Sequence, residues 1–336
     1  MPEVGPANYE GKELSVKDLP PLPEAVAGQF VGVHAGRLIV AGGTMWSRPK
    51  WEGGEKRWTA AIHTLGPGDR EWRRSGEHSE VVAYGGAVTT PEGLICIGGQ
   101  SPSGASTAVT QVSWDGQRTR SLSLADLPEP RMALAGAGCG HSIFAMGGQS
   151  SPTALSASQK VWRLDAVKGN WQKARWKEAP RIPGPGRILP AAAGGRNDFY
   201  LASGAALSET ASGAVFRTYI RDAFVYRPGS GWEALPDLPA PVVAAPAICD
   251  ESGRFLIFGG DDGTLAGKTP ELGARHPGFS RTILRQRDSA WFGSGMLPES
   301  LVTSGAAMWN GAVVIPGGEN IPGTRTARVL SIQGWE

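Results

Sequence analysis

The segment PGGENIPGTRTARV, residues 316–329, sets Glu319 directly after a glycine pair and Arg325 six positions later. A carboxylate so placed can take a proton from a hydroxyl, and a guanidinium can grip an anionic group through two parallel hydrogen bonds. Side by side at the mouth of a cavity, the two suit proton transfer on an acidic substrate. The plainer alternative is a loop ion pair that only shapes its turn. The segment GTMWSRPKWEGGEKRWT, residues 43–59, adds Trp46, Trp51 and Trp58, rings that could roof such a cavity and stack on a sugar, or simply pack as a lid. His276 is the one imidazole in the long stretch 261–278, where a lone histidine is more often solvated than catalytic.

The elements that must position these residues follow from a repeated glycine doublet. LIVAGG, LICIGG, IFAMGG, FYLASG, FLIFGG and VVIPGG place a Gly-Gly or Ser-Gly pair after each of six apolar runs. The steps between them are 56, 49, 56, 56 and 58 residues. A period near fifty with a strand ending in a glycine doublet resembles the kelch repeat, in which each unit is one four-stranded blade. The expected fold is all-β, one six-bladed propeller over residues 1–336. Its repeats are expected near 23–80, 81–130, 131–185, 186–240, 241–300 and 301–336, the last completed by 12–19. Blades bury their faces only against each other, so the chain should not divide into separate domains.

Blade five illustrates the unit. Strand a is the small-residue run VVAAPAICD (242–250), and strand b is RFLIFGG (254–260), apolar on both faces because it is covered from both sides. Strand c is RTILRQR (281–287), and strand d carries Trp291. Trp72, Trp171, Trp232 and Trp335 are placed in comparable slots and assigned to packing between blades, while blade two has no tryptophan there. The last blade lacks a fourth strand, which Lys12 to Leu19 should supply, removing both open edges of the ring. Alternating strand direction brings every glycine doublet, and every link into the next blade, to one face. Trp46, Gln100, Gln149, Asp261, Asp262, Glu319, Arg325, Arg131 and Arg187 should therefore surround a single axial mouth, where propellers commonly hold ligands.

Bulk properties narrow the classes. Gly 48, Pro 26 and 19% charged residues suit many short strands joined by tight turns. A net charge of +2 without a basic run argues against nucleic acid as a partner. Cys96, Cys139 and Cys249 have no paired spacing and read as buried thiols rather than a disulfide set or a metal cluster. No apolar leader or membrane-length stretch is evident, which points to a cytoplasmic chain without membrane attachment; a periplasmic location would need an export segment. Monomer and homodimer are both compatible with the sequence. Sialidase-type SxDxGxxW turns are absent, and the five histidines are too scattered for a copper oxidase site.

Three segments carry a more specific resemblance. Residues 75–100 (SGEHSEVVAYGGAVTTPEGLICIGGQ), 314–329 (VIPGGENIPGTRTARV) and 51–65 (WEGGEKRWTAAIHTL) are similar to bacterial N-acetylneuraminate epimerases, sialic acid mutarotases built as six-bladed kelch propellers. The likeness spans essentially the whole chain in rotated order, with 23–100 resembling the usual carboxyl-terminal part and 128 onward the usual start. That order identifies the cyclically permuted branch. The resemblance implies an isomerase that interconverts anomers of N-acetylneuraminate or a related acidic sugar without a cofactor. Glu319 matches the family's proton acceptor in its GE…RT motif, Arg325 matches that motif's arginine, and Arg187 matches an arginine at another blade entrance. Arg187 and Arg325 would bind the sugar carboxylate, and Trp46, Gln100, Gln149 and Arg131 would complete the substrate contacts. The sequence departs from the family at Val82, where an arginine is usual, at Gln100, where GGE is usual, and at 243–247, which lacks the histidine of an MAGH motif. The alternative is a noncatalytic kelch module that binds a protein partner or a glycan.

Overall fold

A computed structural model describes residues 14–211, 213–250, 252–288 and 290–335. It contains six four-stranded antiparallel sheets arranged as a six-bladed propeller. The inner strands are Phe30–His34, Gly86–Thr90, Met132–Cys139, Ala191–Gly194, Ala247–Cys249 and Ala307–Trp309. The sixth sheet is closed by the amino-terminal strand, Ser15–Leu19, which pairs with Val329–Gln333 in the register Ser15↔Gln333 to Leu19↔Val329. Residues 12 and 13 of the expected closing strand lie outside the described residues. Pairing the first strand with the last satisfies backbone groups that would otherwise form open edges.

Each of the six junctions between neighbouring blades has its own apolar cluster. The second strands explain why. Arg37–Ala41, Phe255–Gly260 and Ala312–Pro316 are buried almost throughout, because alternate side chains enter the junctions on opposite sides of the blade. A recurrent tryptophan fastens one blade to the next. The indole N–H of Trp72 donates to the Pro20 carbonyl (2.7 Å), Trp232 to Pro180 (2.9 Å) and Trp291 to Pro236 (2.8 Å). In blade three the same bond is made by Trp176, to Ala125 (2.8 Å). Trp171, expected in that slot, is instead buried and donates to Glu92 of blade two at 3.0 Å. The expected strand 242–250 is also shorter, Ala247–Cys249, because Ala244 turns into the left-handed region at φ 59°.

That turn belongs to a sixfold device. Gly28, Tyr84, Ala133, Leu189, Ala244 and Thr303 stand at the six blade entrances, all with φ between 51° and 72°. Each donates its backbone N–H to the carbonyl of the preceding member: Tyr84 to Gly28 (2.7 Å), Ala133 to Tyr84 (2.8 Å) and Leu189 to Ala133 (2.7 Å). Ala244 to Leu189 (2.9 Å), Thr303 to Ala244 (2.8 Å) and Gly28 to Thr303 (2.6 Å) complete a circle around the axis. A non-glycine residue in this conformation costs roughly 1–2 kcal/mol, and for the β-branched Thr303 it is a pronounced departure. The circle offsets that cost by pairing six donors and six acceptors that would otherwise face the channel. Below it the channel wall is made of small residues such as Gly85, Gly86, Gly136, Ala192, Ala247 and Ala306.

Candidate functional site

The glycine doublets do deliver the chain to one face. Thr44, Gln100, Gln149, Ala205, Asp261 and Glu319 follow the six doublets, and each bridges back to the residue immediately before a member of the circle: Ala27, Ala83, Met132, Ile188, Val243 and Val302. The doublets are glycine because the neighbouring backbone is too close for a side chain. A Cβ on Gly99 would lie 2.7 Å from the Ala83 carbonyl, and one on Gly318 2.9 Å from that of Val302. Above this plane rise three two-stranded hairpins, Thr44–Trp46 with Lys56–Trp58, Ala205–Glu209 with Val215–Tyr219, and Glu319–Ile321 with Thr324–Arg325.

Glu319 and Arg325 are cross-strand partners in the last hairpin and form an ion pair, their side chains 16% and 5% exposed. A tight turn at Gly323 folds them together, and the Gly323 N–H donates to the Glu319 carboxylate at 2.8 Å. Arg325 Nη2 donates to the Tyr84 hydroxyl (2.8 Å) and to Thr44 Oγ1 (3.3 Å), which are themselves 2.9 Å apart. Its guanidinium lies 6.0 Å from the Trp46 ring. Burial holds the Arg325 pKa below the usual arginine value, with the Tyr84 hydroxyl acting in the opposite direction. Lys56 stands over the faces of Trp58 (4.6 Å) and Tyr84 (4.8 Å). Although the residue as a whole is exposed, desolvation of the ammonium, and then the Arg325 charge, push it down to about 8.

On the other side of Glu319 opens a cleft of about 570 Å³. Its walls come from blade four (Phe216, Arg217, Tyr219), the blade-five loop (Asp261, His276, Phe279) and blade six (Thr303, Glu319). The Tyr219 hydroxyl donates to Asp261 Oδ2 at 3.0 Å, and burial, with the Asp261 charge, raises it to about 12. Three loops meet above Glu319. The Trp51 indole donates to the Pro322 carbonyl, the Lys50 N–H donates to the Gly323 carbonyl (3.0 Å), and the Trp51 ring lies beside Gly273 of blade five. Trp51 is thus a packed roof, whereas Trp46 and Trp58 flank the Arg325 and Lys56 cations. Among the described residues, no three His, Cys, Asp or Glu side chains gather as metal ligands.

The structure brings together Glu319, Arg325 and Trp46, and separates them from Arg131 and Arg187. Arg187 is fully buried, and all five of its N–H groups are used. It forms a bidentate pair with Asp222 and donates to the carbonyls of Ser203 (3.1 Å), Pro183 (3.2 Å) and Pro185 (3.3 Å), leaving none for a substrate carboxylate. Arg131 is buried against Glu129 (2.5 Å) and Ser158 (2.9 Å). Both occupy the slot behind the preceding blade's glycine doublet, where Gly99 donates to the Arg131 carbonyl and Gly148 to that of Arg187 (both 2.8 Å). Val26, Val82 and Leu301 fill the same slot elsewhere, so its side chain enters the junction between blades and not the mouth. Gln149 is buried with its amide 3.9 Å from the Met132 sulfur, and Gln100 is partly exposed in its place after the doublet. His276 is a correction of the opposite kind: only 6% exposed, it lines the cleft and is not solvated. Tyr84, Lys56, Tyr219 and Phe216 were missed, because nothing in the local sequence shows which turn or hairpin leans over the axis.

No family model matches the chain. Over 104 residues it is 34% identical to the N-acetylneuraminate epimerase of Yersinia pestis, a match covering 28% of this chain and 26% of that protein. The corresponding figures for the N-acetylneuraminate epimerase of Brucella suis are 31% over 118 residues, 30% of each chain. The matched stretch therefore spans about a quarter to a third of the length of these curated relatives. Among solved structures, that of YjhT superposes with a TM-score of 0.68 at 12% identity, covering 94% of this chain and 99% of that one. The chain is thus similar to N-acetylneuraminate epimerases over part of its sequence, and to YjhT across the whole of its six-bladed propeller.

Proposed function

We propose that this protein is a mutarotase that interconverts the anomers of N-acetylneuraminate or a related acidic sugar. The observation that carries the reading is the Glu319–Arg325 pair, held at the axial mouth beside a cleft large enough for a monosaccharide. Opening a cyclic hemiketal requires a base for the anomeric hydroxyl proton, and Glu319 presents a carboxylate to the cleft for that purpose. Arg325, with the Gly323 N–H, fixes the rotamer of that carboxylate, and Tyr84 and Thr44 fix Arg325 in turn. This arrangement favours a positioning role for Arg325 alongside the expected role in holding the substrate carboxylate. Lys56 adds a second positive charge at the mouth. General acid–base assistance of about 10²–10⁴-fold is the scale expected of such a site.

The test is anomer exchange followed by NMR, starting from freshly dissolved α-N-acetylneuraminate. The wild type should hasten equilibration, and Glu319→Gln should remove the acceleration while leaving the melting transition unchanged. No acceleration by folded wild type with several acidic sugars would reject the reading. A glycan- or protein-binding module would then be favoured, for which the exposed Val215 and Phe216 (58%) at the blade-four hairpin offer an apolar contact.

A further inference from the structure

We propose that His276 is a second catalytic residue of this mouth, donating its Nε2–H to the ring oxygen of the sugar as that oxygen gains charge. The proposal rests on the mutarotase reading of Glu319. When the hemiketal opens, the anomeric O–H proton passes to Glu319 and the anomeric oxygen becomes a carbonyl. The bond from the anomeric carbon to the ring oxygen breaks, and its electron pair stays on the ring oxygen. A carboxylate serves the first oxygen but only repels charge developing on the second. A fixed N–H donor aimed at that second position is what the reaction still lacks. The ring oxygen then takes a proton from water, Glu319 returns its proton to solvent, and His276 keeps its own proton throughout.

The cleft narrows the choice of donor. The Tyr219 hydroxyl is committed to Asp261 at 3.0 Å, Asp261 and Glu319 are acceptors, the Thr303 hydroxyl is buried out of reach of solvent, and the exposed Arg217 guanidinium is a cation suited to the sugar carboxylate. His276 differs. Its Nδ1 accepts the backbone N–H of Gly278 at 3.1 Å, which leaves the ring proton on Nε2. Among the described residues Nε2 has no hydrogen-bond partner and keeps some accessible surface, although the residue is only 6% exposed. The ring lines the same cleft as Glu319, and Nε2 is its one nitrogen left for a ligand there. The loop is anchored beside the base: a Cβ on Gly278 would lie 3.0 Å from the carbonyl of Asn320, the residue after Glu319, and Ser300 Oγ donates to that carbonyl at 2.5 Å. The Phe279 ring packs at a tilt beside the imidazole, with ring centroids 5.9 Å apart. A neutral imidazole N–H with its other nitrogen engaged is a suitable stabiliser of developing oxyanion charge.

The experiment measures anomer exchange of N-acetylneuraminate in wild type, Glu319→Gln, His276→Phe and His276→Gln, with melting curves for each. His276→Phe keeps an aromatic ring beside Phe279 but has no N–H, and should lower kcat by about 10²–10³-fold with KM nearly unchanged. His276→Gln retains an N–H donor and should recover a substantial part of that loss. If the Phe variant does not fold, His276→Ala assayed with added imidazole replaces it, and the added imidazole should restore rate. Wild-type kcat in folded His276→Phe, a rise in KM alone, equal losses in the Gln and Phe variants, or no rescue by imidazole would each overturn the proposal. These outcomes leave the role of Glu319 intact provided Glu319→Gln is inactive. An inactive wild type would instead reject the mutarotase reading itself.

Discussion

Arg187 offers the sharpest separation of stability from activity. Its sequence context suggested a substrate carboxylate binder, whereas its surroundings are those of a buried structural cation: 0% exposed, paired with Asp222, and donating to three carbonyls. Consider Asp222→Ala. The guanidinium loses its carboxylate partner, and breaking a buried pair by removing one partner costs about 3–5 kcal/mol. Because the Asp222 side chain keeps 24% exposure, water can reach the vacated position, and the lower end, about 3 kcal/mol, is appropriate. Unfolding entropy near the midpoint is about 2.1 cal/mol/K per residue, so a chain of 336 residues has about 0.7 kcal/mol/K, and 3 kcal/mol lowers Tm by roughly 4 °C. Calorimetry would read that shift, and anomer exchange of N-acetylneuraminate in the same preparation should give an unchanged KM. The reasoning fails if Asp222→Ala or Arg187→Met raises KM several-fold while Tm stays within about 1 °C of wild type, since Arg187 would then be acting at the mouth.

Other expectations concern the mouth, the junctions and the thiols. Lys56 is held down to about 8, so its charge is complete below that pH and lost as pH rises through it. KM for an acidic sugar should therefore climb above about pH 8 in wild type, stay low in Lys56→Arg, and become insensitive to pH over that range in Lys56→Gln. Tyr84→Phe removes the hydroxyl shared by Arg325 and Thr44, a loss of about 1–2 kcal/mol of hydrogen bonding, and should slow exchange several-fold in a protein that still folds. Trp232→Phe deletes an inter-blade bond to Pro180 and should lower the urea midpoint by an amount equivalent to about 1 kcal/mol without altering exchange. Burial raises the pKa values of Cys96, Cys139 and Cys249, so a thiol reagent at neutral pH should react slowly with the native protein and with all three after unfolding.

The architecture was legible because it is written as repetition. A blade cannot bury its faces alone, so each repeat needs the same apolar strand and the same glycine doublet, and the closing strand Ser15–Leu19 follows from the missing fourth strand of the last blade. Glu319 and Arg325 were equally legible, since cross-strand partners around a tight turn at Gly323 are set by local chain geometry. The circle of left-handed residues was hidden, because only Gly28 among its six members has the residue type that such a conformation favours. The remainder of the mouth was decided by how far each side chain stands from the axis. Arg131 and Arg187 share a sequence slot with Val82, and that slot opens into the junction between blades, where their charges are neutralised by Glu129 and Asp222. His276, Tyr84 and Lys56 belong to a loop, a blade entrance and a hairpin far apart in sequence, and only closure of the ring brings them near one carboxylate. Local pattern determined the repeat and the ion pair, because both are short-range; the tertiary structure alone determined which polar groups face the sugar-sized cleft, because that depends on the packing of several blades at once.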